Sequence, residues 1–305
     1  MTIKHIILSG GAYKGLYELG VLKYLSSKKF YNIEEIESIH GTSIGGFIGA
    51  LLCLKMDWNT IYNYIIHRPW YKITNISPMM LFDVLPKKGM LGYDFFKEAM
   101  KPLLDSKHYE IDITLEEFYN KTEIELNLYA IEMNTFKLTQ ISYKSHPEMK
   151  LIEAIHMTCC LPFIFQPVWY ETSYYIDGGL INNYPIDTCL NNNDIKEEEI
   201  LGLKFEISDS CPELQKESNV FEYGYFLYKK LVRTNNNKNE IYDAKKNDIY
   251  ELVIPCKNID ANDGYETIIN SDIRSKYIDD GENFAKVFYN YIEKTNKLPN
   301  LESSM

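Results

Sequence analysis

The pattern of apolar and polar positions alternates short strands with amphipathic helices. Ile6-Ile7-Leu8 follows His5 as an unbroken run into glycines, the mark of a strand buried on both faces. Leu16, Leu19, Gly20, Leu22 and Leu25 then recur at helical spacing. A second strand is expected over Ile36–His40, and an apolar helix over Ile44–Leu54. Strand, helix, strand, helix in short order predicts parallel pairing and an α/β sheet covered on both faces. Further helices are expected over Asn59–His67, Tyr93–Leu104, Met149–Cys160, Pro185–Leu190, Val220–Val232 and Ser271–Ile292. Thr114 and Glu117 have capping-box spacing and open another helix. Glu125–Met133 and Lys137–Tyr143 read as a strand pair, Tyr174–Ile176 as a short strand leading to Asp177, and Leu201–Ile207 as a strand. Arg68–Gly92, punctuated by Pro69, Pro78, Pro86 and Gly89, reads as irregular. The Asn235-Asn236-Asn237 run reads as a loop tip, and the chain from Lys297 as a frayed tail.

Composition narrows the class. The 305 residues are 45% hydrophobic and 25% charged, ordinary for a globular chain. A chain this long buries roughly 75% of its unfolded surface without staples. No repeat or linker stands out, so one domain over 1–305 is expected. A net charge of −11 argues against broad nucleic-acid binding and against adsorption of the whole molecule to anionic membranes. Local basic pairs, Lys87-Lys88 and Lys229-Lys230, remain available as contacts. Six cysteines, with no Cys-x-x-Cys spacing and an adjacent Cys159-Cys160 pair, read as reduced thiols. The N-terminal apolar run is too short for a signal peptide, and the longest apolar run is too short to span a bilayer. The expectation is a cytoplasmic, soluble chain with peripheral membrane contact at most.

Three glycine-rich strings carry the candidate chemistry. Gly41-Thr42-Ser43-Ile44-Gly45 is a Gly-x-Ser-x-Gly elbow between a strand and a helix. There a serine hydroxyl is exposed at the top of a sheet, and a side chain in place of Gly41 or Gly45 would clash with neighbouring backbone. Gly10-Gly11-Ala12-Tyr13-Lys14-Gly15 follows the first strand. A P-loop would need Lys and Ser or Thr after the last glycine, where Leu16 and Tyr17 stand. A dinucleotide fingerprint would need a different glycine spacing and a later acid. An oxyanion hole fits better: small residues after a strand gather backbone N–H groups into an anion-binding concavity, with Lys14 adding positive charge.

The serine needs a base. None of the histidines at 5, 40, 67, 108, 146 and 156 follows an acid in a persuasive Ser–Asp–His order, although His146 and His156 stay open. Asp177, followed by Gly178 and Gly179, fits if its surroundings are dry enough to raise its basicity.

These three strings, in this order, resemble the patatin-like phospholipases. Support comes from Gly89-Met90-Leu91-Gly92, Thr114-Leu115-Glu116-Glu117-Phe118, the Pro162, Phe165 and Pro167 stretch, and Asn182, Asn183 and Pro185. The likeness covers roughly residues 3–210; no family motif is matched over 211–305. It implies a three-layer α/β/α fold with a central, mostly parallel sheet, a variant of the α/β-hydrolase type. It implies Ser43 as nucleophile, Asp177 as base, and Gly10, Gly11 and Ala12 as the oxyanion loop. Lys14, Gly15, Gly41, Gly45, Gly178 and Gly179 support these motifs. The activity implied is phospholipase A-type hydrolysis of glycerolipid esters at a membrane or micelle surface, through an acyl-enzyme, with no metal or cofactor. An acyltransferase using the same intermediate, or a silent lipid- or partner-binding protein, are the alternatives. Thr158-Cys159-Cys160-Leu161 departs from the family's usual Ser-x-Ala-x run. A lipase also needs an apolar face toward lipid; Met79-Met80-Leu81-Phe82, with Lys87-Lys88, is the candidate, against the plainer reading of a core plug.

Overall fold

The computed structural model describes residues 2–74, 80–191, 194–206, 248–255, 261–295 and 298–299, with positions 215, 216, 223, 224, 226, 227, 230, 231 and 234. Met79, Ile207, Cys211, Val220, Val232, the Asn235–Asn237 run and Cys256 lie outside the described residues, as do the side chains of Met80, Leu81 and Phe82.

An eight-stranded sheet runs through the molecule, with helices on its faces. Its strands are β1 (His5–Leu8), β2 (Ser38–Thr42), β4 (Glu125–Glu132), β5 (Lys137–Ile141), β7 (Val168–Tyr170), β8 (Ser173–Asp177), β9 (Ile200–Phe205) and β10 (Tyr250–Ile254). Spatial order is β10-β9-β1-β2-β4-β8-β7, with β5 on β4. The five strands from β10 to β4 are parallel. The β4–β5, β4–β8 and β7–β8 pairs are antiparallel. A separate two-stranded sheet pairs β3 (Gly89–Leu91) with β6 (Phe163–Phe165).

The central strand explains why its sequence is apolar throughout. Ile6 and Leu8 enter the main core, whereas Ile7 points to the other face and packs with Ile186, Cys189 and Ile200. The expected strand–helix–strand–helix start is present as β1, α1 (Gly15–Ser27), β2 and α2 (Ile44–Cys53). The expected helices α3 (Trp58–His67), α6 (Tyr93–Ser106), α7 (Leu115–Thr122), α8 (Leu151–Thr158) and α9 (Ile186–Leu190) also form. Thr114 and Glu117 make the reciprocal capping box at the start of α7.

The stretch read as irregular is more ordered than its prolines suggest. It holds α4 (Trp70–Thr74), α5 (Met80–Lys87) and β3. Pro86 falls in the last turn of α5, and Lys88 leaves it with φ 62°, so the proline closes this helix without preventing it. The strands β3, β6 and β7 have three residues each, too few to display a period.

Two C-terminal helices, α10 (Ala261–Ile269) and α11 (Ser271–Lys294), complete the described fold. Ile278, Ala285 and Ile292 of α11 belong to the same core as Ile6 and Leu8. Helices α1 and α11 cross at backbone contact: a Cβ at Gly20 would lie 2.0 Å from the Ile278 carbonyl, and one at Gly281 would lie 2.2 Å from the Tyr17 carbonyl. Buried Arg274 donates to the carbonyls of Ile66 and Thr267, tying α11 to the ends of α3 and α10. Among the described residues, no helix is long and apolar enough to cross a membrane.

Candidate active site

The sheet register brings the three glycine strings to one place. Leu8 pairs with Gly41, so the loops after β1 and β2 leave side by side at the carboxyl ends of their strands. Thr42 pairs with Tyr129, and the next residue, Ala130, pairs with Asp177. Strand β8 runs antiparallel to β4, so its last residue stops level with the elbow.

Ser43 sits at the N-terminus of α2 with φ 56° and ψ −127°, a strained combination for a residue with a side chain. Its surroundings fix it there. Its N–H donates to Thr158 Oγ1 at 3.0 Å, and that hydroxyl donates to the Tyr129 carbonyl at 2.7 Å. Its carbonyl accepts from the amides of Gly46 and Phe47, the first turn of α2. The elbow glycines are needed for space: a Cβ at Gly41 would come within 2.5 Å of Gly45, and one at Gly45 within 2.6 Å of the Leu8 carbonyl. None of the described glycines has positive φ.

Asp177 is 2% exposed. Its Oδ1 accepts from the Gly179 amide at 2.7 Å. Burial raises its pKa from 3.8 to about 6, opposed by the neighbouring Ser43 side chain and the Gly179 amide. The Asp177 amide donates to the Cys160 carbonyl at 3.0 Å. Gly178 lets the turn press on β4, since a Cβ there would sit 2.5 Å from the Tyr129 carbonyl.

The first loop lies over the serine. A Cβ at Gly10 would be 3.2 Å from Ser43 Cβ. Gly10 is held at both ends by Asn183: its N–H donates to the Asn183 carbonyl at 2.9 Å, and Asn183 Nδ2 donates to the Gly10 carbonyl at 2.8 Å. The Gly10 amide is therefore committed, whereas the amides of Gly11 and Ala12 donate to no other described residue. Gly11 lies under the Phe205 ring, which a Cβ there would meet at 2.4 Å. Ala12 has φ 51° and begins a 3-10 turn, Ala12–Lys14, in which Lys14 is buried. Gly15 packs on Ile44, the first residue of α2. Tyr13, within the loop, stacks on Tyr277 of α11 and donates to Asp263 of α10 at 3.1 Å.

Four of the six histidines are engaged elsewhere. His40 Nδ1 bonds the Tyr129 hydroxyl at 2.7 Å, and burial lowers its pKa to about 3. His5 pairs with Ser38 at 2.8 Å. His156 Nε2 donates to the Gln166 carbonyl at 2.9 Å, its ring stacks on Phe96, and burial takes its pKa to about 4. His146 bonds Ser145 and lies against Tyr170. Cys53, Cys159, Cys160 and Cys189 are free and buried. Among the described residues, no three His, Cys, Asp or Glu side chains are grouped as metal ligands would be.

Two residues of this site had no role in the sequence reading. Asn183 was visible only as part of an Asn-x-Pro match, and Thr158 only as a departure from a family run. The one available sign for Thr158 was a hydroxyl at the end of an apolar helix.

Comparison with known proteins identifies the family. A family model described as patatin-like phospholipase matches residues 6–190. "Probable lipid hydrolase 463L" of Invertebrate iridescent virus 6 is 27% identical over 64% of this chain and 66% of its own length. "Lysophospholipase NTE1" of Meyerozyma guilliermondii is 25% identical over 59% of this chain, but the match spans only 11% of that much longer protein. Among solved structures, VipD from Legionella pneumophila superposes with a TM-score of 0.55 at 14% identity, covering 95% of this chain and 67% of that one.

Proposed function

The chain belongs to the patatin-like phospholipase family, and from that premise we propose that it is a lipid acyl hydrolase of the phospholipase A type, acting through Ser43 and Asp177 on glycerolipid esters at a membrane or micelle surface. The observation that carries this reading is a buried carboxylate, raised to about 6, at the end of β8 and level with a serine held in a strained elbow. Such a carboxylate is ionised at neutral pH yet basic enough to accept a proton.

In the proposed reaction the Ser43 Oγ attacks the ester carbonyl as Asp177 takes its proton. The oxyanion lies against the amides of Gly11 and Ala12, and Gly10 serves by close approach, its own amide being committed to Asn183. The start of α2, directly after Ser43, adds the positive end of a helix dipole. Collapse breaks the ester C–O bond, and Asp177 returns its proton to the departing lysolipid alcohol. Asp177 then deprotonates a water that attacks the Ser43 acyl ester. The fatty acid leaves and the proton returns to Ser43. Residues 1–305 are proposed to act as one catalytic unit, with α10 and α11 completing it.

Incubation with a panel of phospholipids, galactolipids and acylglycerols, followed by mass spectrometry of products, tests the proposal. Free fatty acid plus lysolipid is the expected outcome; transfer of the acyl group to an added alcohol in place of hydrolysis would move the reading to a transferase. Ser43→Ala and Asp177→Asn should each reduce turnover to background, and the double variant should be little worse than either. Below pH about 6, kcat/KM should fall about tenfold per pH unit as Asp177 protonates. A profile flat to pH 4 would remove Asp177 as the base.

A further inference from the structure

The proposed reaction leaves a wholly buried acid, Glu18, without a part. It lies in the first turn of α1 beside the buried residues Gly15, Leu19, Val21 and Leu22, and is 0% exposed. An acid in a first turn ordinarily caps the helix or faces its dipole from solvent. Glu18 does neither. It reaches out of the helix, and its Oε1 accepts from the Ser9 amide at 3.1 Å and from the Ser9 hydroxyl at 3.3 Å. Its Oε2 is buried with no hydrogen-bond partner among the described residues. Burial pushes the carboxyl well above the usual carboxylate range, against the two Ser9 hydrogen bonds.

A buried oxygen without a partner costs stability at its position. An apolar side chain of similar volume would fill the same space with no polar atom left over. Residues that break a local rule in this way collect where function requires them.

What Glu18 holds points to that function. Ser9 is also wholly buried, and it is the joint between β1 and the Gly10–Gly15 loop. Its amide is shared with the Leu203 carbonyl of β9 at 3.2 Å. Its carbonyl bears on the elbow, since a Cβ at Gly45 would lie 2.8 Å from that oxygen. The next residue, Gly10, is the one that approaches Ser43. From Ser9 the chain leaves the sheet, turns through Ala12–Lys14 and enters α1, and the bonds from Ser9 to Glu18 close this loop at its base. Asn183 holds Gly10, and α10 and α11 hold Tyr13. The tie through Glu18 is made within the loop and its own helix.

We propose that Glu18 is a positioning residue: by holding Ser9 it sets the Gly10–Gly15 loop over Ser43 and so aims the Gly11 and Ala12 amides at the oxyanion. The oxyanion rests on the lipid-hydrolase reading, whereas the hold on the loop is measurable without turnover. Glu18→Met with Ser9→Ala replaces both polar partners by apolar ones, so its melting temperature should equal or exceed that of wild type. Its kcat on a soluble short-chain ester should nevertheless fall by about 10², with KM within about twofold, as expected of misplaced oxyanion donors. Glu18→Gln keeps an acceptor at the same reach and should hold kcat within about threefold of wild type. Glu18→Asp keeps the carboxyl but withdraws it by the length of a methylene, and should lose about tenfold in kcat. Hydrogen exchange over residues 9–15, read by mass spectrometry, reports the loop directly. The Ser9, Gly10 and Lys14 amides, each hydrogen-bonded in the structure, should exchange faster in the double variant and at the wild-type rate in Glu18→Gln.

Wild-type kcat and wild-type exchange in the double variant would overturn the proposal. So would a double variant slowed only in proportion to a lowered melting temperature, or a Glu18→Gln variant as slow as the double one. If the double variant does not fold, Glu18→Asp decides, and wild-type kcat in that variant overturns the proposal. Faster exchange in the double variant of a protein whose wild type turns over no ester would leave the hold on the loop standing and remove the hydrolase reading instead.

Discussion

Asp177, the proposed base, is held against its own solvation. Its carboxyl is buried, and its pKa of about 6 lies above the 3.8 of an unburied aspartate. The folded state therefore binds its proton more tightly than the unfolded chain. The stability it contributes is complete below about pH 4 and is lost as pH rises through 6, a difference of order 3 kcal/mol at most. Asp177→Asn should accordingly be inactive yet melt higher than wild type at pH 8, with the advantage gone at pH 4. Thermal melts across that range check it, and an equal or lower melting temperature at pH 8 would show that the ionised carboxylate is fully compensated by its hydrogen bonds. Asn183 makes a second prediction at this scale. Asn183→Asp keeps the shape but cannot donate to the Gly10 carbonyl, and places two acceptors 2.8 Å apart. The loop should shift, lowering kcat by about 10² with KM little changed, the size associated with losing an oxyanion donor. Steady-state kinetics on a soluble ester separate this from a binding defect, which would raise KM alone.

Elements were legible in the sequence where a period or a motif ran long enough to be seen. The β1–α1–β2–α2 start, the capping box of α7 and the β4–β5 pair follow from periodicity and from residues with one structural use. Both elbow glycines were legible for the same reason, because a side chain there meets backbone. The three-residue strands were not, and neither was β10, whose Leu252 and Ile254 turn inward while Val253 stays out. Tertiary closeness was also invisible. Nothing local announces that Asn183 reaches Gly10 across 173 positions, or that Tyr13 meets α10 and α11. The helix crossing is the sharpest case. Alanine is favoured over glycine inside a helix by about 1 kcal/mol, so Gly281→Ala would read as stabilising. The Tyr17 carbonyl lies 2.2 Å from that Cβ position. The substitution should instead destabilise by about 1–3 kcal/mol through overpacking. Denaturant unfolding gives the sign directly, and a stabilised variant would mean that α11 can move away from α1 at little cost.

For the whole molecule, the packing divides chemistry from closure. Ser43, Asp177 and the glycine loops all lie within the family match at residues 6–190. The outer face of α1, which leaves directly from the Gly10–Gly15 loop, is covered by α11: Tyr17 packs on Tyr277 and Phe284, and Lys23 pairs with Glu282 at 2.6 Å. The loop residue Tyr13 is held from the same side by Tyr277 and Asp263. The order in which a ribosome makes these parts gives the crossing of α1 and α11 a temporal meaning. A nascent chain already containing Asp177 must wait for α11, Ser271–Lys294, before α1 has its partner. At usual synthesis rates of about 5–20 residues per second, that interval is on the order of ten seconds. Throughout it, Ser43 and Asp177 are already made, while the Gly10–Gly15 loop still lacks the clasp of Tyr277 and Asp263 that holds Tyr13.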